Sequence, residues 1–118
     1  MDGEKVVKLG DIDLGITIGL MVIEDACIDN DVDFMAAIGG DMKQVRKYES
    51  VTNLISMAYH GHKLYCKIHG EDMKTSESDL FDKANKDMNF IVELRNFVNE
   101  TMVKNVPKEE VEESKKKK

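Results

Sequence analysis

The chain opens with two short runs in which apolar and polar residues alternate. The apolar positions are Val7 and Leu9 in the first run, then Ile12, Leu14, Ile16 and Ile18 in the second. Gly10 and Asp11 lie between the runs and tolerate the positive φ angles that two-residue hairpin turns require. The pattern predicts a β-hairpin with one continuous apolar face. Because a lone two-stranded hairpin is marginal in water, we expect that face to pack against helices.

Helical spacing replaces the alternation near Gly19. Over residues 18–30, apolar residues recur at intervals of three and four with acidic residues between them, which predicts an amphipathic helix. The next segment, VDFMAAIGGD, predicts a short helical turn that ends at Gly39 and Gly40.

A longer helical pattern follows these two glycines. Asp41 is a favourable N-cap, and Gln44 can reach back to the Asp41 amide to complete a capping box. The apolar and aromatic positions then recur in steps of three and four, at Tyr48, Val51, Ile55, Ala58, His62, Tyr65 and His69. This stripe keeps its phase across Gly61, although glycine costs about 1 kcal/mol inside a helix. The pattern therefore predicts one helix over about 41–69, ended by Gly70 in the left-handed conformation.

Two further helices and a charged tail complete the pattern. Ser76 and Asp79 have capping-box spacing ahead of a short helix, and Asp87 can open a last helix that carries one apolar stripe. Residues 104–118 are almost entirely charged or polar, so we expect them to form a disordered tail.

These elements predict a mainly α protein, a helical bundle with one long helix (about 41–69) and a small N-terminal β-hairpin. At 118 residues the chain suits one domain, which we place at residues 1–103. Neither a membrane-spanning apolar run nor a secretory signal pattern is found, so we expect an intracellular protein. Cys27 and Cys66 are in no recognised spacing, which indicates two reduced thiols.

The net charge of −6 bears on the choice of partners. Without the four terminal lysines, 13 basic residues remain against 23 acidic ones. Phosphate backbones and anionic membranes attract a concentrated basic face, whereas the basic cluster here is confined to one end. The composition therefore argues against nucleic acid and against membranes as partners. Eight methionines supply soft side chains, which fill cores and also recur on surfaces that accept varied apolar partners.

The segment 51–72 contains all three histidines and one of the two cysteines. On a helix, His62, Cys66 and His69 share one side, while His60 points away. A zinc ion could bridge His62 and Cys66, and His69 could join them only with strain. A Cys66 nucleophile would lack an orienting third group and an oxyanion site. We favour a packing or contact role, and predict no catalytic, cofactor-binding or metal-binding residue and no enzymatic activity.

The acidic run Asp29, Asp31 and Asp33 imitates the first ligands of a calcium-binding loop. Phe34 and Gly40 then stand where an EF-hand requires glycine and glutamate. We interpret the run as an acidic connector between helices.

Three segments carry a resemblance to a known family, namely VVKLGDIDLGITIGLMVIEDA, LISMAYHGHKLYCKIHGED and TSESDLFDKANKDMNFIVELRNFV. In the order of its predicted elements, over about residues 5–103, the chain resembles the tail assembly chaperones of long-tailed bacteriophages and prophages. The resemblance implies a mainly helical protein of the bacterial host cytoplasm, not retained in the mature virion. It implies binding of the tape measure protein and recruitment of tail tube protein. Gly39, Gly40 and the density of histidines are not hallmarks of the family.

Members of this family are often made in a short and a frameshifted long form. Lys115–Lys118 require an adenine-rich run in the gene, on which ribosomes can slip. A charged tail that keeps the protein in solution is the alternative interpretation of these lysines.

A long helical partner with apolar stripes needs a complementary stripe, and tyrosine and histidine suit reversible interfaces. We hypothesise that the outer half of the predicted long helix, with the hairpin edge, binds a partner or a second copy. The residues of this predicted interface are Tyr48, Val51, Ile55, Ala58, Tyr59, His62, Tyr65 and His69. The alternatives are a helical adaptor without a phage connection and a small intracellular binding or regulatory module that holds a metal through His62, Cys66 and His69.

Overall fold

The computed structural model describes residues 3–105, with side chains over residues 3–102. The strands are β1 (Glu4–Leu9) and β2 (Ile12–Thr17), and the helices are α1 (Leu20–Asp29), α2 (Phe34–Ile38), α3 (Met42–Tyr48), α4 (Val51–His69), α5 (Glu77–Ala84) and α6 (Met88–Asn105). The prediction of a mainly helical fold with an N-terminal hairpin is confirmed. Residues 104 and 105, which we assigned to the tail, belong to α6, and the rest of the predicted tail lies outside the described residues.

The hairpin forms where the alternation predicts it. β1 and β2 pair antiparallel with Leu9 opposite Ile12, and Gly10 in the turn has a φ of 61°. The buried apolar face consists of Val7, Leu9, Leu14 and Ile16. On its other face β2 is also covered, because Gly15 and Thr17 are buried as well. Helices therefore cover one face of the hairpin and the other face of β2, while Val6 and Lys8 of β1 remain exposed.

The predicted single helix over 41–69 is wrong, because the structure has two helices there. α3 ends at Tyr48, and Ser50 adopts extended backbone with its Oγ accepting a hydrogen bond from the Asn53 N–H at 3.1 Å. Serine is among the best N-caps, and here it starts α4. The Asn53 Nδ2 donates to the Tyr48 carbonyl oxygen at 2.9 Å, which satisfies an acceptor left free where α3 ends. The stripe keeps its phase across this break, which hides the break in the sequence.

Most of the predicted caps are confirmed. Asp41 accepts from the N–H groups of Lys43 and Gln44, Ser76 from that of Asp79 and Asp87 from that of Phe90, and Gly70 ends α4 with a φ of 65°. The reciprocal bond of the capping box at α3 is not formed. Gln44 Oε1 accepts from the Asp33 N–H at 2.8 Å, so this side chain links the starts of α2 and α3 and does not reach back to Asp41.

α4 lies at the centre of the domain, where it contacts β2, α1, α5 and α6. Its approach to β2 depends on Gly61, because a Cβ there would lie 2.6 Å from Ile16 Cγ2 and 2.9 Å from the Thr17 carbonyl oxygen. Gly15 on β2 lies under the Tyr65 ring, which a Cβ at that position would overlap. We term this contact the β2–α4 seam. Within residues 3–105, no helix combines the length and apolar character needed to cross a bilayer.

Candidate protein-binding surface and the histidines of α4

His62 is buried at the β2–α4 seam, where both of its ring nitrogens are hydrogen-bonded. Nδ1 lies 2.8 Å from the Gly15 carbonyl oxygen, and Nε2 lies 3.0 Å from the Lys74 backbone nitrogen. A carbonyl only accepts and a backbone N–H only donates, so Nδ1 carries the proton and Nε2 accepts. The imidazole is therefore neutral, and its two nitrogens hold the hairpin and the loop after α4 instead of a metal ion.

Cys66 lies beside His62 but is not activated by it. Its Sγ is 3.6 Å from His62 Nε2, which already accepts from Lys74, and 3.5 Å from the Asp72 carbonyl oxygen, to which the thiol donates. Burial raises the pKa of the Cys66 thiol, and the negative charge of Glu71 raises it further. A protonated thiol beside an occupied imidazole is a poor nucleophile and a poor metal ligand.

His69 contacts the hairpin. Its Nε2 lies 3.0 Å from Glu4 Oε1, and its ring packs on Tyr65 with 4.3 Å between centroids. Burial of the Glu4 carboxyl tends to raise its pKa, but the hydrogen bonds from His69 and Thr17 outweigh that effect, so the Glu4 pKa is lowered. His69 thus stabilises the ionised form of Glu4.

His60 lies on another side of α4, as helical phase predicts, with its Nε2 2.6 Å from Asp29 Oδ2 on α1. The three histidines therefore hold three different parts of the chain against α4. Among residues 3–102, no group of three or more His, Cys, Asp or Glu side chains is placed to hold a metal ion.

The predicted partner interface follows the inward side of α4. Ile55, Ala58 and His62 are at most 1% exposed, so these three residues belong to the core and the prediction that they form surface is corrected. Tyr48, Tyr59 and Tyr65 are half-buried, while Val51 and His69 are exposed. The stripe is regular because a buried hairpin and its flanking helices need a continuous apolar cover.

The tyrosines of this stripe serve tertiary contacts. Tyr65 covers Gly15 on β2. Tyr48 packs on Phe34 of α2 with 5.8 Å between ring centroids. Burial raises the pKa of Tyr48 to about 12, with smaller contributions from Cys27 and Glu49. Neither ring is free to be the main anchor for a partner.

Exposed apolar side chains are concentrated on α1, α2 and the start of α3. The apolar side chains of these elements that are more than half exposed are Leu20, Met21, Ile28, Met35, Ile38 and Met42; Val6 on β1 and Met88 on α6 are as exposed but lie elsewhere. Leu20, Met21, Ile28 and Met35 adjoin one another, and contiguous apolar surface marks interaction sites on small proteins. Within it, a groove of about 530 Å³ runs between α1 and α2. Its lining residues are Leu20, Met21, Glu24, Cys27, Ile28, Val32, Asp33, Phe34 and Met35, and we term it the α1–α2 groove.

The acidic connector fixes the two walls of this groove. Asp31 is left-handed with a φ of 55°, and the Val32 N–H donates to the Cys27 carbonyl oxygen at 2.8 Å, which is the hydrogen bond of a Schellman motif. Asp33 Oδ1 caps α2 by accepting from the Ala36 N–H at 3.0 Å. Asp31 and Asp33 therefore have different structural roles. Together they set the direction in which α2 follows α1.

The sequence interpretation missed a buried polar network at the end of α1. Asn30 Nδ2 lies 2.9, 3.2 and 2.9 Å from the Ala26 carbonyl oxygen, Asn53 Oδ1 and Ser56 Oγ, so its two N–H groups are shared among three acceptors. Asn53 and Ser56 are buried on α4, on a different side from the predicted stripe, so the helical spacing gave no signal for them.

The α1–α2 groove was missed as well, although α1 carries a signal for it. Seven of the ten residues in LMVIEDACID are apolar, more than one buried face of a short helix accommodates. Val22, Ile23, Ala26 and Cys27 take the buried positions. Leu20, Met21 and Ile28 are left in solvent.

Comparisons of the chain with family models, with curated proteins and with solved structures found no match. A functional assignment therefore rests on the exposed apolar surface and on the structural role of the α4 histidines.

Proposed function

We propose that the chain is a non-enzymatic phage tail assembly chaperone that binds the tape measure protein in the bacterial host cytoplasm and aids tail tube assembly. The observation that carries the protein-binding part is the exposed apolar surface of α1, α2 and the start of α3. The resemblance over about residues 5–103 supplies the biological setting and the identity of the partners.

The side chains on this surface suit a partner that presents many different apolar segments. Met21 and Met35 are 80% and 72% exposed. Methionine is unbranched and polarizable, so it adapts its shape to varied apolar side chains. Covering such side chains removes apolar area from water, which contributes about 25 cal/mol per Å². A long protein with successive apolar stripes could therefore be bound at several places by copies of one small chaperone.

Release matters as much as binding, because the chaperone leaves as tail tube protein polymerises along the tape measure protein. A groove with acidic residues at its edge gives a partly polar interface of the non-obligate kind. The β2–α4 seam has a supporting part in this proposal. His62 holds β2 and the following loop against α4, and His60, on another side of α4, is bonded to Asp29 of α1.

Co-expression with the tape measure protein tests the proposal. We expect the tape measure protein to be encoded close downstream of this gene, by a very long open reading frame whose sequence predicts mostly helix. We expect most of that protein to remain soluble and to co-purify with the chain, and to sediment with insoluble material when expressed alone. An equally insoluble tape measure protein in both cultures would contradict the function.

The nucleotides that encode Lys115–Lys118 give a second test. A run of adenines with an overlapping downstream frame is expected, and mass spectrometry of infected or induced cells should then find a longer product that shares this chain. If the lysine codons contain no run of adenines and no reading frame overlaps them, the chain is not the short product of a frameshifted gene.

A further inference from the structure

The α1–α2 groove has the form of a site for an apolar helix face. Cys27 and Val32 are buried at its base, while Leu20, Met21 and Met35 stand at its sides largely in solvent. Its volume of about 530 Å³ lies within the range of about 300–1,000 Å³ found for ligand sites. The groove lies between two helices and presents no strand edge, so it suits a helix that inserts residues at positions i, i+3, i+4 and i+7.

The charged residues that line the groove are all acidic. Its two polar lining residues are Glu24 and Asp33, and no lining residue is basic. Two other acidic residues of this region have cationic or histidine partners, since Asp31 lies 3.8 Å from Lys47 and Asp29 is bonded to His60. Within the described residues, Glu24 and Asp33 form no such pair. Their field therefore favours a cationic partner and disfavours an anionic one.

The same charges argue against a second copy of this chain as the occupant. A symmetric dimer across the groove would place identical patches face to face. Glu24 and Asp33 would then approach the same carboxylates of the other copy, and like charges brought together at an interface cost several kcal/mol.

From these observations we propose that the α1–α2 groove binds an amphipathic helix whose apolar stripe is flanked by lysine or arginine. The inference rests on the proposed function, for which it names the docking surface and the chemistry of the tape measure segments that bind there. Apolar residues of the partner helix fill the space among Leu20, Met21, Ile28 and Met35. Its flanking cations lie against Glu24 and Asp33.

Two labelled peptides of about 18 residues test the inference with the full-length chain. Both carry the same leucine stripe at helical spacing, one flanked by lysines and the other by glutamates. Fluorescence anisotropy should give a Kd for the lysine peptide at least about tenfold lower than for the glutamate peptide. The difference should shrink as sodium chloride is added, because salt screens exposed charges.

Substitutions at exposed positions then locate the site. The double variant Met21→Ser with Met35→Ser should weaken lysine-peptide binding at least about tenfold. The matched control is Met88→Ser with Val92→Ser, which removes two exposed apolar side chains of α6 outside the groove and should leave the Kd unchanged. Glu24→Lys should reverse the preference between the two peptides. Circular dichroism and urea unfolding verify that each variant is folded.

Equal affinity for both peptides, or equal loss in the α6 control, would overturn the inference. So would a dimer that the groove variant dissociates in sedimentation, since a second copy would then be the occupant. Peptide binding seen only after removal of residues 106–118 would make the chain's own end the occupant and would overturn it too. Peptide binding without tape measure solubilisation would reject the proposed function alone, whereas solubilisation by the groove variant would reject the groove alone as the docking surface.

Discussion

The β2–α4 seam and the α1–α2 groove are both lined by apolar residues next to polar ones, but they differ in how much space they leave. At the seam, Gly15 and Gly61 have no room for a methyl group, and His62 uses both of its ring nitrogens. At the groove, Met21 and Met35 stand mostly in solvent. The stripe with the most regular spacing is the one that the fold itself covers. The irregular excess of apolar residues on α1 is what remains for a partner.

The largest expected difference in stability is between two variants that place an aspartate either in the core or in the groove. Ile55→Asp buries a carboxylate at a site that is 1% exposed, so we expect a loss of at least about 4 kcal/mol in the free energy of unfolding, enough to unfold the chain. Met21→Asp lies at a site that is 80% exposed and should change that free energy by less than about 0.5 kcal/mol. Urea unfolding followed by circular dichroism compares them. A folded Ile55→Asp variant would break the contrast between the two regions.

The second effect concerns the hydrogen bonds at the seam. His62→Leu fills the site with an apolar side chain but leaves the Gly15 carbonyl and the Lys74 N–H without their partner. It should lower the free energy of unfolding by about 2–4 kcal/mol. The control is His60→Leu, which removes a surface pair with Asp29 and should cost less than about 1 kcal/mol. Equal losses in the two variants, measured by urea unfolding, would show that the seam bonds carry no special weight.

A smaller effect is expected from one added methyl group at the seam. Gly61→Ala should lower the free energy of unfolding by about 1–3 kcal/mol through overpacking against Ile16 and Thr17. The sign is informative, because alanine in an unobstructed helix interior would raise it by about 1 kcal/mol. Gly19→Ala is the control for an added methyl group without a clash, since a Cβ there meets no atom within 4 Å; because Gly19 is the N-cap of α1, no gain from helix propensity is expected in this control. A rise in the thermal midpoint of Gly61→Ala would mean that α4 and β2 can separate without cost.

The smallest effect is the pH dependence at the edge of the seam. The Glu4 pKa is lowered from its ordinary 4.5 in the folded state, so its stabilisation is fully present above 4.5 and is lost as pH falls through the lowered value. Glu4→Gln should therefore be less stable than the parent chain near neutral pH. It should also lose less stability between about pH 5 and about pH 3. Urea unfolding midpoints of both proteins across this range give the dependence of stability on pH. The same dependence in both would show that the contact between Glu4 and His69 does not stabilise the fold.

Local chemistry in the sequence predicted much of the fold. Alternation and Gly10 located the hairpin, while Asp41, Ser76 and Asp87 located helix starts, because each acts on its own neighbours in the chain. The break at Ser50 escaped prediction because the apolar stripe stays in phase across it. The break forms because Ser50 caps α4, and because Asn53 bonds the Tyr48 carbonyl oxygen at the end of α3. Sequence periodicity shows which side of a helix is apolar, but it does not show what covers that side.

The candidate site was harder to predict for the same reason. His62 and Ile55 were assigned to a partner surface because their spacing is regular, and the structure uses that regularity for the seam. Met21 was part of the apolar pattern over residues 18–30, but neither that pattern nor the short segment around Met35 showed that these side chains lie in solvent, because their exposure depends on where α2 leaves α1. That direction is set by Asp31 in its left-handed conformation, a single backbone angle that spacing along the chain does not encode.

The imidazole of His62 also links parts of the domain that are distant in sequence. It joins the Gly15 carbonyl, 47 positions earlier in the chain, to the Lys74 amide, 12 positions later. Because an isolated two-stranded hairpin is marginal, β2 loses its support when this ring leaves. The Lys74 amide hydrogen should then exchange with deuterium oxide at the rate of global unfolding, although it lies in a loop. Exchange at that rate would show that the hairpin, α4 and the loop open as one cooperative unit, joined through a single neutral ring.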